Sequence, residues 1–67
     1  MPRLTRLLEL RDRAMLTQRE LADRAGVTQA TVVRAERGDE SSYRTAKKLA
    51  KALGVEPQEL LEPLAAR

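Results

Sequence analysis

The chain has no cysteine, no histidine, no phenylalanine and no tryptophan, and its one aromatic residue is Tyr43. Without cysteine there is no disulfide framework and no thiolate metal site, and without histidine zinc-finger ligand sets and most acid–base constellations lose their raw material. The carboxylates are not clustered, so an enzyme is not expected. A single aromatic cannot supply the stacking platform of an RNA-binding sheet. No apolar run approaches the roughly 18 residues needed to cross a bilayer, and the N-terminus lacks the apolar stretch of a signal peptide, which sets the expectation of a cytoplasmic chain. Glycine and proline are scarce, three of each.

What is present is leucine, valine, alanine and charge. Sixty-seven residues set the expectation of one small domain over 1–67, which buries only about 60% of its unfolded surface and depends on an aliphatic core. The net charge is +3, from 13 basic and 10 acidic residues. That is mildly basic, compatible with nucleic acid without being diagnostic. Arginine outnumbers lysine before residue 45, and arginine is the better fork for phosphates and guanine edges.

The chain is organised around residues 17–38, which read as two short helices with a tight turn between them. Thr17 is an N-cap with Glu20 three residues on, a capping box. Leu21, Ala22 and Ala25 share a face of the first helix. Gly26 stands where a left-handed backbone is required, Val27 plugs the turn, and Thr28 caps the second helix. There Val32, Ala35 and Glu36 share one face and Ala30, Val33, Arg34 and Arg37 the other. Ala22, Gly26 and Val32 occupy relative positions 1, 5 and 11: a small residue where helices cross, a glycine at the bend, a branched residue in the angle. This is the spacing of a helix-turn-helix, whose second helix can lie in a DNA major groove. A plain αα-hairpin is the competing reading.

Around this motif the pattern predicts helix 1 over about residues 3–14, started by Pro2, with Leu4, Leu7, Leu8 and Arg11 as a stripe widened by Leu10. Helices 2 and 3 are predicted at Gln18–Ala25 and Gln29–Arg37, and helix 4 at Tyr43–Leu53 with Ser42 as N-cap and Gly54 at its end. Its apolar face is Ala46, Leu49, Ala50 and Leu53. A fifth helix is expected after Pro57, carrying Leu60, Leu61 and Leu64 and ended or kinked by Pro63.

Leu10-Arg11, Leu16-Thr17-Gln18, Glu20-Leu21-Ala22, Ala25-Gly26-Val27-Thr28, Glu36-Arg37-Gly38 and Leu49 to Val55 together resemble the Cro/CI-type (XRE-type) helix-turn-helix domain of phage repressors, over about Leu7 to Leu61. The resemblance implies an all-α, compact five-helix bundle of the lambda-repressor-like DNA-binding type, with helices 2 and 3 as the motif. Such domains often carry glycine before the position of Leu16, where this chain has Met15, so helix 1 either ends without a left-handed residue or strains Met15.

The candidate site follows. Gln29, in the first turn of helix 3, presents an amide that matches the adenine edge, and the resemblance implies that it contacts a base. Arg34, a turn on, can fork onto guanine. Ala30 and Val33 either meet thymine methyl groups or form a harmless exposed apolar pair. Thr28, Thr31 and Arg37 are candidate phosphate contacts. Gln18 sits where free N–H groups and the helix dipole favour phosphate, and by resemblance it also buttresses Gln29. Arg11 and Glu36 lie on apolar stripes and need partners; the resemblance implies that they pair. Ser42, Tyr43 and Arg44 suit backbone contact at the start of helix 4, where related repressors send an arginine into the minor groove. Asp39 and Glu40 depart from basic relatives, and they either face away or weaken nonspecific binding.

One helix reads only a few base pairs, so the expectation is a sequence-specific, double-stranded DNA-binding regulator, a repressor, acting as a homodimer on a pseudo-palindromic site. The expected dimer surface is the helix 5 region, with Val55, Leu60, Leu61 and Leu64. The alternative is a protein-interaction module of the same fold, such as an antitoxin or a multiprotein bridging-factor-like adaptor. No cofactor is implied.

Overall fold

A computed structural model describes residues 2–61 of the chain. It contains four α-helices, α1 (Leu7–Arg13), α2 (Gln18–Ala25), α3 (Gln29–Arg37) and α4 (Tyr43–Leu53), followed by a short 3-10 helix, Pro57–Leu60. α2 packs against both α3 and α4, α1 touches α3, and the 3-10 helix closes against α4. Among the described residues no helix is long and apolar enough to cross a membrane.

The core is aliphatic. Leu4, Leu7, Leu21, Leu49, Leu60 and Val32 are fully buried, with Leu10, Ala22, Ala35, Ala46 and Ala50 around them. Each buried leucine contributes up to roughly 2 kcal/mol, and the alanines let α2, α3 and α4 approach closely enough to leave no need for an aromatic filler. α2, α3 and α4 begin and end where the sequence predicts, because both signals are local. Thr17, Thr28 and Ser42 each accept a backbone N–H three residues on, removing one orphan donor per helix.

All four α-helices stop in the same way. A left-handed residue follows, and the next N–H returns to a carbonyl five residues back: Leu16 to Arg11, Val27 to Ala22, Asp39 to Arg34 and Val55 to Ala50. This is the Schellman closure. Glycine fills three of the four left-handed positions, and Met15 fills the other with φ 59°. Helix 1 thus ends with a left-handed residue after all, and Met15 carries the strain.

Helix 1 departs from the expected range of about 3–14, and the fifth helix from the expected α-helix. Pro2 does not start a helix. The Pro2 carbonyl instead accepts the Ser41 N–H at 2.8 Å, and Arg3 forms an isolated antiparallel bridge with Glu40. The chain then turns, with the Leu7 N–H on the Leu4 carbonyl at 3.0 Å and the Arg6 N–H on the Leu60 carbonyl at 2.9 Å. Helix 1 therefore begins at Leu7, its phase is set by Leu7, Leu10 and Arg11, and Leu8 turns outward to 48% exposure. Leu4 reaches the core from outside the helix. The expected fifth helix is the 3-10 turn Pro57–Leu60, which ends because Leu61 is extended (φ −94°, ψ 161°). The expectations for Pro63 and Leu64 lie outside the described residues.

Candidate nucleic-acid interface

The angle between α2 and α3 is set by a few residues. Glu20 accepts the Thr17 N–H at 2.8 Å and Thr17 Oγ1 accepts the Glu20 N–H at 3.0 Å. The Thr17 backbone N–H, with the Thr17 hydroxyl, holds the Glu20 carboxyl below its ordinary range. Gly26 (φ 73°, ψ 32°) makes the bend. A side chain there would meet no neighbour within 4 Å, so the demand for glycine comes from the backbone conformation alone. Ala22 lies buried at the α2–α3 crossing and Val32 fills the angle between them.

With Val32, Ala35 and the Glu36 side chain turned inward, the other side of α3 faces solvent. Gln29, Ala30, Val33, Arg34 and Arg37 are all exposed. Neither Gln29 nor Arg34 is hydrogen-bonded through its side chain to another described residue, so both heads are available for an outside partner. At the start of α3 Thr28 Oγ1 accepts the Thr31 N–H at 3.2 Å and lies 2.9 Å from Thr31 Oγ1. Thr31 is half-buried against this cap.

Beneath the interface lies a charged knot. Arg11 Nε donates to Glu36 Oε2, Arg11 Nη2 to Glu36 Oε1 at 3.3 Å, and Arg11 Nη1 to the Leu16 carbonyl at 2.8 Å. The Glu36 side chain is 6% exposed and that of Arg11 13%. The Glu36 hydrogen bond raises the Arg11 pKa further above its already high ordinary value. Gln18 Nε2 joins the same carboxylate, donating to Glu36 Oε1 at 2.9 Å. The amide nitrogen expected to buttress Gln29 is thus engaged by Glu36, because Glu36 points inward at the first turn of α2. The knot ties the end of α1, the α1–α2 turn and the start of α2 to the motif's second helix.

The loop after α3 holds features that the sequence does not reveal. Arg37 Nη2 donates to Asp39 Oδ2 at 2.7 Å. Arg3 donates to the Gly38 carbonyl at 3.1 Å and lies 3.8 Å from the Glu40 carboxylate. Asp39 and Glu40 therefore each meet an arginine. Arg3 carries no local signal of this role, since its partners stand 35 or more positions away. Ser42 caps α4, its Oγ accepting the Thr45 N–H and donating to Thr45 Oγ1, both at 3.0 Å. Tyr43 and Arg44 follow, both exposed.

A helix-turn-helix family model matches residues 7–60. The chain belongs to the XRE-type helix-turn-helix family. The match embraces the whole arrangement just described apart from the N-terminal strap and Leu61. Among solved structures, this helix-turn-helix chain is similar to the restriction-modification controller protein C.AhdI from Aeromonas hydrophila, at 41% identity over 85% of this chain and 88% of that one, with a TM-score of 0.79. It is also similar to SinR, the master regulator for biofilm formation, solved in complex with DNA, at 27% identity over 87% of this chain and 95% of that one, TM-score 0.79. A third likeness, at 32% identity and TM-score 0.83, is to Streptomyces albus HEPD, which is bound there to 2-hydroxyethylphosphonate and Fe(II). It covers 92% of this chain but 14% of that one, too small a part for that protein's chemistry to be carried over. No curated protein matches the chain.

Proposed function

We propose that the chain is a sequence-specific, double-stranded DNA-binding transcriptional repressor that lays α3 in the major groove and acts as a homodimer on a two-fold site. The observation that carries this reading is the exposed face of α3, where Gln29 and Arg34 stand uncommitted five positions apart while the opposite face is locked into the core. Gln29 meets adenine N6 and N7, Arg34 forks onto guanine O6 and N7, and Ala30 and Val33 lie against thymine methyl groups. Thr28, Thr31, Arg37, Ser42, Tyr43 and Arg44 lie along the backbone. Gln18 contributes its free helix-start N–H groups, with its side-chain oxygen beside them. The similarity to a controller protein and to a regulator solved on DNA supports the same reading.

The dimer rests on the need for a second half-site. Leu60 takes no part in it, being fully buried in the core. Val55 and Leu61 are both half-buried and border separate depressions. Leu61 borders an apolar depression of about 190 Å³ shared with Pro2, Tyr43, Ala46 and Pro57. These are the surfaces offered to a second copy.

The test is selection from a random-site duplex pool, followed by fluorescence anisotropy with the wild type and the Gln29→Ala/Arg34→Ala variant. A symmetric site with half-sites about one helical turn apart is expected to emerge. The variant should lose at least roughly 30-fold of its preference for it, since it removes two base contacts worth about 1–3 kcal/mol each. Enrichment of no sequence, with equal binding by both proteins, would overturn the reading in favour of a protein partner.

A further inference from the structure

Asp39 is an odd residue to find at the end of a helix that addresses a polyanion. It stands directly after Gly38, at the mouth of the loop that leads to Ser42, Tyr43 and Arg44. Its carboxylate accepts from Arg37 at 2.7 Å. The Arg37 hydrogen bond is the largest cause holding the Asp39 carboxyl below its ordinary range, and the charges of Arg37, Arg34 and Arg3 add to it. Arg37, from the last turn of α3, is the arginine in contact with this carboxylate, while Arg3 of the N-terminal strap and Arg34 of α3 add only their longer-range charge. Arg3 is held there by its bond to the Gly38 carbonyl, with Glu40 as its own counter-charge.

The pair contributes little to folding. Side chains of Arg37 and Asp39 are 66% and 47% exposed, and exposed ion pairs are worth little once solvent screens them. Their consequence falls on binding. A phosphate gains from an arginine by displacing condensed counterions, but an arginine already neutralised by a tethered carboxylate must exchange that partner first, and the displaced carboxylate then repels the phosphates.

Resting on the DNA-binding reading, we infer that Asp39 is an internal competitor of the DNA phosphates for Arg37, and that it lowers affinity uniformly, whatever the base sequence. The penalty is electrostatic and involves no base edge, so it acts alike on selected and unrelated duplexes. It leaves discrimination to Gln29 and Arg34 and reduces the time spent on the wrong sites.

The experiment compares wild type, Asp39→Asn and Asp39→Glu on a short random-sequence duplex and on the selected site, by anisotropy at several salt concentrations. Thermal melts check that all three are folded. Asn keeps the size of the side chain and removes the charge, whereas Glu keeps the charge. Asp39→Asn is expected to bind both duplexes more tightly by the same factor, roughly three- to tenfold at about 0.1 M salt. Its slope of log K against log salt should be steeper by about 0.9 for each phosphate newly met. Asp39→Glu should behave as wild type. Unchanged affinity and slope for Asp39→Asn, or equal tightening by Asp39→Glu, would overturn the inference while leaving the DNA-binding reading intact. If the selection enriches no site but the random duplex is still bound, the comparison on that duplex decides the inference alone. If wild type binds neither duplex, both fall.

Discussion

Arg11 and Glu36, 25 positions apart in the sequence, face each other across α1 and α3 as a largely buried ion pair. The pair is completed by Gln18 on the carboxylate and by the Leu16 carbonyl on the guanidinium. No side-chain polar atom buried among the described residues is left without a partner. Satisfied in this way, the pair sets the orientation of α3 relative to α1 and α2. Broken, it leaves a charge in a poorly solvated place.

Losing either partner should therefore be expensive. Arg11→Ala and Glu36→Ala are each expected to cost about 3 kcal/mol, a large part of the roughly 3–10 kcal/mol available to a domain of this size. The double variant should cost about 1–3 kcal/mol less than the sum of the singles, because the second change removes a charge that the first left stranded. Urea unfolding in the cold at neutral pH measures all three. Strict additivity would show that the two groups act independently.

Met15 offers a gain. Its φ of 59° costs a side chain about 1 kcal/mol, and at 88% exposure it buries almost nothing in return. Met15→Gly is expected to stabilise by about 0.5 kcal/mol after the greater freedom of the unfolded chain is counted, raising Tm by about 2–4 °C. Gly26→Ala imposes the same strain at the equivalent position of α2 and should destabilise by about 1 kcal/mol. Calorimetry on the two variants tests one idea in both directions. A lower Tm for Met15→Gly would refute it.

Stability should be flat near neutrality and fall in acid. No histidine or cysteine side chain is present to titrate in between. Glu9 is held low mainly by its hydrogen bond from Arg6, Glu20 mainly by the Thr17 N–H, and Asp39 mainly by Arg37, from ordinary values of 4.5, 4.5 and 3.8. A carboxyl whose pKa is lower folded than unfolded contributes fully above its unfolded value, and that contribution disappears as pH falls through the folded one. Tm should therefore begin to drop below about pH 5 and keep dropping through the acid range. Arg11 moves in the other direction, further above its already high ordinary value, so its contribution is lost only in strong alkali. Glu20→Gln keeps an oxygen for the Thr17 N–H without the titration, so its Tm should fall less between neutral pH and the acid range. An acid limb identical to wild type would remove Glu20 from the account.

α2, α3, α4 and the turn between α2 and α3 were legible in the sequence because everything that specifies them lies within a few residues. Thr17 with Glu20, Thr28 with Thr31 and Ser42 with Thr45 are caps closed by neighbours, and Gly26, Gly38 and Gly54 stop helices by their own backbone freedom. The outward face of α3 was legible for the same reason, since helical periodicity divides Gln29, Ala30, Val33, Arg34 and Arg37 from Val32, Ala35 and Glu36. Only the tertiary structure decided the rest. The start of α1 depends on Pro2 and Arg3 pairing with a loop nearly forty residues away, and that contact turns Leu8 out and brings Leu4 in. Leu60 could have faced a partner or the core, and its neighbours in the fold placed it in the core. Asp39 and Glu40 appear as two acids in a row, and the arginines that answer them come from the end of α3 and the beginning of the chain. Local chemistry writes helix ends and helix faces. Distant residues become neighbours only after the chain has packed, and there lie the start of α1, the fate of Leu60 and the partners of Asp39.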